Sequence, residues 1–155
     1  QRQMCIRDRF DGIPESMPAL GRARKLQSRA GSIGFDFGNA NDALTKVVEE
    51  LHELQLALEA AAVGTALTGS ENAPPDPHVA AEVGDLLFAV VNTARLARVD
   101  PELALRESNQ RFRGRVEGAI SLAAADGIDF ASLGLEQQEE WYQRSKAQML
   151  EAAEE

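Results

Sequence analysis

The chain has 155 residues, of which 44% are hydrophobic, and its 25 acidic and 16 basic side chains give a formal net charge of −9. This length suits one domain with a substantial core, and the sequence contains neither an apolar run long enough to span a membrane nor a signal-peptide pattern. The negative charge argues against a surface that coats nucleic acid. The single cysteine, Cys5, excludes an intrachain disulfide framework, and this favours a reducing, cytoplasmic setting.

The first nine residues, QRQMCIRDR, show no helical or strand period and resemble a translation scar. We therefore expect residues 1–9 to be a non-native or disordered leader, and we assign residues 10–155 to a single domain. Two prolines in the next stretch, FDGIPESMP, predict an extended lead-in.

Residues 17–30 predict the first helix, with Ser16 as its N-cap and Pro18 near its first turn. Lys25 and Arg29 are four residues apart on this helix, so they share a face and can reach an anionic ligand. A solvated basic face produces the same pattern, and the sequence leaves both interpretations open.

A loop punctuated by glycines, GSIGFDFG, follows and carries Phe35 and Phe37. These aromatic side chains either cap the core or offer a stacking face to a base. Asn39 or Asn41 caps the second predicted helix, which extends to about residue 63.

Three glutamates form an acidic group on the second helix, in the segment KVVEELHE. At about 100° per residue, Glu49 and Glu53 lie about 40° apart, and Glu50 lies about 60° beyond Glu53. The apolar arc of the second helix points away from these glutamates. A solvated acidic face produces the same pattern. One turn further on, however, the acidic face turns apolar, which indicates a helix that is buried on more than one side.

The third helix is predicted from about residue 78 to 98, after a proline-rich loop. Glu82 and Asp85 are neighbours three residues apart that interrupt its apolar sequence, VAAEVGDLLFAVVNTA. Buried carboxylates are costly unless they are paired or bind a metal ion. Asn92 shares a face with Asp85, and we expect it to form hydrogen bonds in the core or in a pocket, with a ligand role as the alternative.

If the acidic groups of the second and third helices face each other, five like charges meet in a small volume. This is unfavourable unless some carboxylates are protonated or a cation compensates them. Oxygen-only ligands suit a hard divalent ion, so we predict a site for Mg²⁺ or Mn²⁺ at one set of residues. That set is Glu49, Glu50, Glu53, Glu82 and Asp85.

The fourth helix is predicted to start at Asp100-Pro101 and to run to about residue 125. Asn109 falls within its apolar arc and needs a hydrogen-bond partner if it is buried. Arg111 and Arg115 lie at the edge of that arc, where they can bind phosphate oxygens or form surface salt bridges. A last helix is predicted at about residues 136–153, and no segment shows the alternation of a strand.

The segments MPALGRARKLQSRAGSIGFDF, KVVEELHE, EVGDLLFAVVNTAR and ALRESNQRF, in this order, closely resemble the MazG family of nucleoside triphosphate pyrophosphohydrolases. The resemblance covers about residues 11–150 and is closest to the C-terminal domain of the two-domain bacterial enzymes. The chain departs from the family pattern at Phe37, where tryptophan is common, and at Arg111, where lysine is common.

The resemblance implies an all-α, MazG-like bundle of four to five helices that is completed by homodimerisation. It also implies Mg²⁺-dependent hydrolysis of NTPs or dNTPs to the monophosphate and pyrophosphate. For the mechanism, our hypothesis is attack by a metal-activated water, with Glu50 or Glu53 as the catalytic base. The metal ligands of the family fall on the five carboxylates already named. The implied substrate-binding residues are Lys25, Asn109, Arg111 and Arg115, to which the helical pattern adds Asn92.

Three alternatives stay open. The first is a narrower all-α pyrophosphatase for dCTP, dUTP or phosphoribosyl-ATP. The second is a carboxylate-bridged di-iron bundle, which Glu49 and His52 favour only weakly because the third helix has no second ExxH pair near Glu82. The third is a non-catalytic regulatory dimer with solvated acidic faces.

Overall fold

The computed structural model describes residues 10–68, 74 and 76–154, so the predicted leader at residues 1–9, with Cys5, lies outside the described residues. The described residues form five α-helices and no β-strand, which confirms the predicted all-α fold. The helices are α1 (Ala19–Gly31), α2 (Ala40–Thr68), α3 (Pro77–Leu96), α4 (Pro101–Ala125) and α5 (Leu135–Glu154), with a short 3-10 helix at Phe130–Ser132 before α5. None of these helices, as far as they are described, is both long and apolar enough to cross a membrane.

Side-chain caps set three of the helix starts. The Asn39 Oδ1 atom accepts a hydrogen bond from the Asp42 backbone N–H (3.0 Å), so Asn39 rather than Asn41 caps α2. Asp76 accepts from the His78 N–H (2.8 Å) at the start of α3, and Asp100 accepts from the Glu102 N–H (3.0 Å) at the start of α4. The last of these confirms the helix start that Asp100-Pro101 predicted.

Two predicted helix boundaries were wrong. The N-cap of α1 is Pro18, without a side-chain hydrogen bond, and Ser16 does not cap the helix. The residue before a proline is disfavoured in the helical region, so the helix cannot begin before Pro18. At the other boundary, α2 continues past Gly64 to Thr68, because one glycine among alanines and leucines weakens a helix without ending it.

The chain divides into two compact units, the first ending at Glu102 and the second beginning at Leu103. In the first unit α3 packs against both α1 and α2. Its buried apolar side chains are small, and they are Ala43, Ala57, Ala89 and Val91. Small residues let helix backbones approach closely, and this close packing brings α2 and α3 together at the site described below.

Large apolar side chains of α2 and α3 stay about half exposed in the single chain. On α2 they include Leu44, Val48, Leu51, Leu56 and Leu58, and on α3 they include Val83, Leu87 and Val90. The sequence pattern predicted that α2 is buried on more than one side, and the single chain does not bury it in this way. Many exposed large apolar side chains on two neighbouring helices are typical of a protein–protein contact.

The second unit has its own small core. Ala119, Ala123 and Trp141 are buried together, and Leu122, Phe130, Leu133 and Tyr142 pack against them. Gly127 has a positive φ of 75°, a backbone conformation that ends α4. Ser145 on α5 is 2% exposed and lies against Gly118 on α4.

We expect Gly118→Ala to destabilise the second unit. An added Cβ would lie 2.3 Å from the Ser145 Oγ and 3.3 Å from the Ser145 Cβ, so the buried Ser145 hydroxyl must rotate and its Cβ must shift away from α4. Overpacking of this kind costs about 1–3 kcal/mol, against a gain of up to about 1 kcal/mol from the better helix propensity of alanine. Urea denaturation with the matched control Gly114→Ala measures the difference in the free energy of unfolding.

In that control the added Cβ meets only the flexible end of Met149, at 3.3 Å from its Cε. The Gly114→Ala variant should therefore be as stable as the unchanged protein or more stable. Equal stability of the Gly118→Ala and Gly114→Ala variants would contradict the close approach of α4 and α5.

Candidate active site

Three carboxylates from α2 and α3 converge in the first unit. Glu50, Glu53 and Glu82 each place one carboxylate oxygen within 4.8 Å of the others. Glu50 is buried, at 6% exposure, Glu82 is partly buried and Glu53 is exposed. Glu50 and Glu53 are three residues apart on α2, so one helical face presents both of them to Glu82 on α3.

The three carboxylates repel each other electrostatically. The pKa of Glu53 is raised above its ordinary value, chiefly by the negative charge of Glu50 and next by loss of solvation. Lys46, one turn before Glu50 on α2, opposes this effect. Its Nζ lies 2.6 Å from the Glu50 Oε1 and 2.9 Å from the Glu49 Oε1, and these two hydrogen bonds raise the pKa of Lys46.

The other two predicted metal ligands lie outside this group of three. Glu49 is exposed and pairs with Lys46. Asp85, one turn after Glu82 on α3, is exposed and lines a neighbouring cavity together with Glu50. The structure therefore brings together three of the five predicted carboxylates and places a fourth at the adjoining cavity.

This cavity of about 520 Å³ lies between α1, the loop at residues 32–38, α2 and α3. Most of its wall is apolar and rich in aromatic rings, and its polar atoms come from carboxylates and amides. The aromatic side chains are Phe10, Phe35, Phe37 and Phe88, and the polar ones are Gln27, Asp36, Glu50, Asp85 and Asn92. The shape and chemistry suit a flat aromatic ligand with polar groups, next to the carboxylate cluster.

Asp36 and Arg95 fix the loop that carries Phe35 and Phe37. The Arg95 Nη2 atom lies 2.5 Å from the Asp36 Oδ1, and the same oxygen accepts a hydrogen bond from the Phe37 backbone N–H (2.9 Å). Arg95 also donates to the Asn92 Oδ1 from both Nε (3.0 Å) and Nη2 (2.7 Å). The loop is thus tied to α3. Asn92, for which we expected hydrogen bonds in the core or in a pocket, lines the cavity.

Sequence reasoning missed Gln27, Asp36 and Arg95. The spacing of Asn92 and Arg95, three residues apart on a helix, is a signal for a contact between them. No pattern in the sequence signals the ion pair between Arg95 and Asp36, because it depends on how the loop folds back on α3.

The α4 residues that were predicted to bind the substrate belong to the second unit. Asn109 is exposed, and Arg111 donates a hydrogen bond to the Ser108 Oγ (2.8 Å) and lies 3.9 Å from a carboxylate oxygen of Glu107. Arg115 is partly buried. In the first unit, Lys25 on α1 is exposed and forms no ion pair with the described residues.

Comparison with known proteins identifies relatives along most of the chain, although no protein-family model matches it. The chain is 36% identical over 142 residues to the nucleoside triphosphate pyrophosphohydrolase of Escherichia coli (strain K12), covering 92% of this chain and 50% of that protein. It is 33% identical over 139 residues to the nucleoside triphosphate pyrophosphohydrolase/pyrophosphatase MazG of Thermotoga maritima, covering 89% of this chain and 48% of that protein.

A third relative, the uncharacterized protein YabN of Bacillus subtilis, is 34% identical over 137 residues, which are 88% of this chain and 26% of YabN. The chain thus spans about half the length of the first two relatives. The similarity reaches across α1 to α5 and includes the helices that carry the carboxylate cluster. The chain is thus similar, along about nine tenths of its length, to about half of MazG from Thermotoga maritima and about half of the nucleoside triphosphate pyrophosphohydrolase from Escherichia coli.

Proposed function

We propose that this chain hydrolyses nucleoside triphosphates, NTPs or dNTPs, to the nucleoside monophosphate and pyrophosphate in a reaction that depends on Mg²⁺. The observation that carries the proposal is the carboxylate cluster beside an aromatic cavity. The names of the Escherichia coli and Thermotoga maritima relatives support the same reaction. The cavity would hold the nucleoside, and the cluster would hold the metal ion and the phosphates.

The donor set fits a hard divalent cation. The cluster offers carboxylate oxygens alone, and these are the ligands that Mg²⁺ and Mn²⁺ prefer. The raised pKa of Glu53 reflects uncompensated negative charge, which a bound cation would neutralise. Glu50, Glu53 and Glu82 would hold the ion, and Glu49 and Asp85 remain the additional ligands that the family resemblance implies.

In the proposed reaction, water attacks the α-phosphorus, the bond from that phosphorus to the bridging oxygen breaks, and pyrophosphate leaves. A bound divalent cation supplies Lewis-acid chemistry, which polarises phosphate oxygens and acidifies water. Glu53 is suited to accept the proton of the attacking water, because it is the exposed carboxylate of the cluster. Glu50 is the alternative base, and its pairing with Lys46 favours a role in holding the ion instead.

Cationic side chains would offset the charge on the phosphate oxygens. Lys25 on α1 and Arg111 and Arg115 on α4 are the proposed contacts, with Asn109 as a hydrogen-bonding partner. We also propose that the active form is a homodimer. The half-exposed apolar side chains of α2 and α3 support this, because a second copy of the chain would cover them.

Product identification tests the proposed function. The protein is incubated with phosphoribosyl-ATP and a panel of NTPs and dNTPs that includes dUTP, each with Mg²⁺, and the products are separated by ion-exchange chromatography. We expect a nucleoside monophosphate and pyrophosphate in equal amounts. Nucleoside diphosphate and inorganic phosphate, or no turnover at all, would contradict the proposal, and turnover of dCTP, dUTP or phosphoribosyl-ATP alone would indicate the narrower pyrophosphatase.

We expect Gly31→Ala to weaken nucleotide binding through the loop at residues 32–38. An added Cβ would lie 2.6 Å from the Asp36 Oδ2 and 3.3 Å from its Cγ, so Asp36 must move away from Arg95. The cavity then loses the fixed position of Phe35 and Phe37. KM for the nucleotide should rise by about tenfold, because a misplaced loop removes binding contacts while the carboxylate cluster keeps its geometry.

Steady-state kinetics of pyrophosphate release measure this effect, with Gly21→Ala as the control on the same helix. There the added Cβ would make only ordinary contacts, at 3.8 Å from the Met17 Cγ. Its KM should equal that of the unchanged protein. If Gly31→Ala also leaves KM unchanged, the tie between Asp36 and Arg95 does not position the nucleotide.

A further inference from the structure

Gln27 is a buried polar side chain on α1 with one hydrogen-bonding group that has no partner. It is 6% exposed and lines the aromatic cavity. Its Nε2 atom donates a hydrogen bond to the Phe88 carbonyl oxygen (2.8 Å). Its Oε1 atom is buried and accepts no hydrogen bond from any described residue.

The Phe88 carbonyl fixes which way the amide of Gln27 points. A carbonyl oxygen accepts hydrogen bonds only, so Nε2 must face Phe88 and Oε1 must face the other way. A buried amide oxygen without a donor is unusual in a folded protein. Gln27 lines the cavity, so a donor group of a ligand there can satisfy Oε1 while Nε2 keeps its hydrogen bond to Phe88.

The rest of the polar cavity wall is also rich in hydrogen-bond acceptors. Glu50, Asp85 and Asp36 contribute carboxylates, and the described part of the lining includes no basic side chain. The Asn92 amide oxygen is already occupied by Arg95. A ligand that presents a hydrogen-bond donor to the Gln27 Oε1 therefore complements it, and one that presents a carbonyl oxygen there is repelled.

We propose that Gln27 is a specificity-determining residue whose Oε1 accepts a hydrogen bond from the exocyclic amino group of a nucleobase. The inference rests on the proposed function, since it takes the cavity to be the site of the nucleoside. Cytosine, adenine and guanine carry such an amino group. Uracil and thymine carry none, and their single ring donor N–H lies between two carbonyl oxygens that face the acceptor-rich wall.

CTP and UTP test this proposal most directly, because their bases differ only at the amino or carbonyl group and the neighbouring ring nitrogen. We expect the unchanged protein to favour CTP in kcat/KM by at least about tenfold, because a site that binds a donor discriminates against a ligand lacking it. Gln27→Met keeps the length of the side chain and removes Oε1. The CTP:UTP ratio should fall toward one in this variant, mainly through loss of kcat/KM for CTP.

Gln143→Met is the matched control. Gln143 lies on α5 in the second unit and donates to the exposed Glu139 (2.6 Å), so its replacement should leave the CTP:UTP ratio unchanged. Circular dichroism establishes that each variant is folded. If Gln27→Met does not fold, the CTP:UTP ratio of kcat/KM in the unchanged protein still tests the proposal. A ratio near one overturns it. A ratio that stays high in a folded Gln27→Met variant overturns it as well.

Binding of CMP and UMP, measured by isothermal titration calorimetry with Mg²⁺ present, separates this inference from the proposed reaction. Failure of the reaction leaves both triphosphates intact in every variant. The calorimetric comparison does not need turnover, and we expect CMP to bind about tenfold more tightly than UMP. Equal affinities of the unchanged protein for CMP and UMP would overturn the role of Gln27 whether or not the triphosphates are hydrolysed.

Discussion

Glu53→Gln should lower the Mg²⁺-dependent release of pyrophosphate from nucleoside triphosphates by at least about 100-fold. An amide cannot accept a proton from water, and loss of general-base catalysis alone typically costs 10² to 10⁴ in rate, so about 100-fold is the lower bound. The change also removes one of the three carboxylates that converge on the proposed metal site. A coupled assay for pyrophosphate measures the rate over a range of Mg²⁺ concentrations.

This loss should not come from unfolding. The folded-state pKa of Glu53 is raised, so ionisation of this carboxyl opposes folding in the metal-free protein above its ordinary pKa. The metal-free Glu53→Gln variant should therefore have a Tm at pH 7 equal to or above that of the unchanged protein. Thermal melting followed by circular dichroism checks this expectation.

Glu59→Gln is the matched control for this experiment. Glu59 lies on the same helix, outside the cluster, and accepts a hydrogen bond from the Gln55 Nε2 (3.3 Å). The same change of carboxylate to amide there should leave the rate within about twofold, as for a surface substitution remote from the chemistry. Undiminished turnover in Glu53→Gln would refute the assignment of Glu53 as base and as metal ligand.

The helices were predictable because their signals are local. The cap at Asp100 and the apolar periodicity of α2 and α3 depend on residues within a few positions of each other. The two wrong boundaries have local causes too, the proline at position 18 and the weak effect of Gly64. What the local pattern could not give is the burial of α2, since its apolar face is half exposed in the single chain.

The candidate site was predictable in part. Glu50 and Glu53 lie on one face of α2, so a single contact with α3 was enough to bring them to Glu82. The position of Gln27 was not predictable, because it depends on the rotation of α1 about its own axis and on one carbonyl of α3. The pairing of Asp36 with Arg95 spans 59 residues of sequence and has no periodic signal.

Lys46→Met tests the electrostatic balance of the cluster independently of turnover. The variant keeps the aliphatic stem and removes the ammonium group that lies 2.6 Å from the buried Glu50. The described residues place no other cation within ion-pair distance of Glu50. A buried carboxylate that loses its partner is strongly unfavourable, so we expect the Tm of the metal-free variant to fall by about 3–6 °C.

Added Mg²⁺ should restore most of this loss. A divalent cation held by Glu50, Glu53 and Glu82 supplies the missing positive charge, and binding to the folded state alone raises its stability. The increase in Tm on addition of millimolar Mg²⁺ should thus be larger in Lys46→Met than in the unchanged protein. Differential scanning calorimetry with and without EDTA provides both measurements.

Arg113→Met is the control for the loss of a surface ion pair. The Arg113 Nε lies 2.7 Å from the Glu117 Oε1, and both side chains are exposed. Solvent screens such a pair, so its loss should change the Tm by no more than about 2 °C and leave the response to Mg²⁺ unaltered. If Lys46→Met behaves in the same way, then Lys46 does not balance a buried negative charge, and the carboxylates of α2 and α3 do not form a cation site.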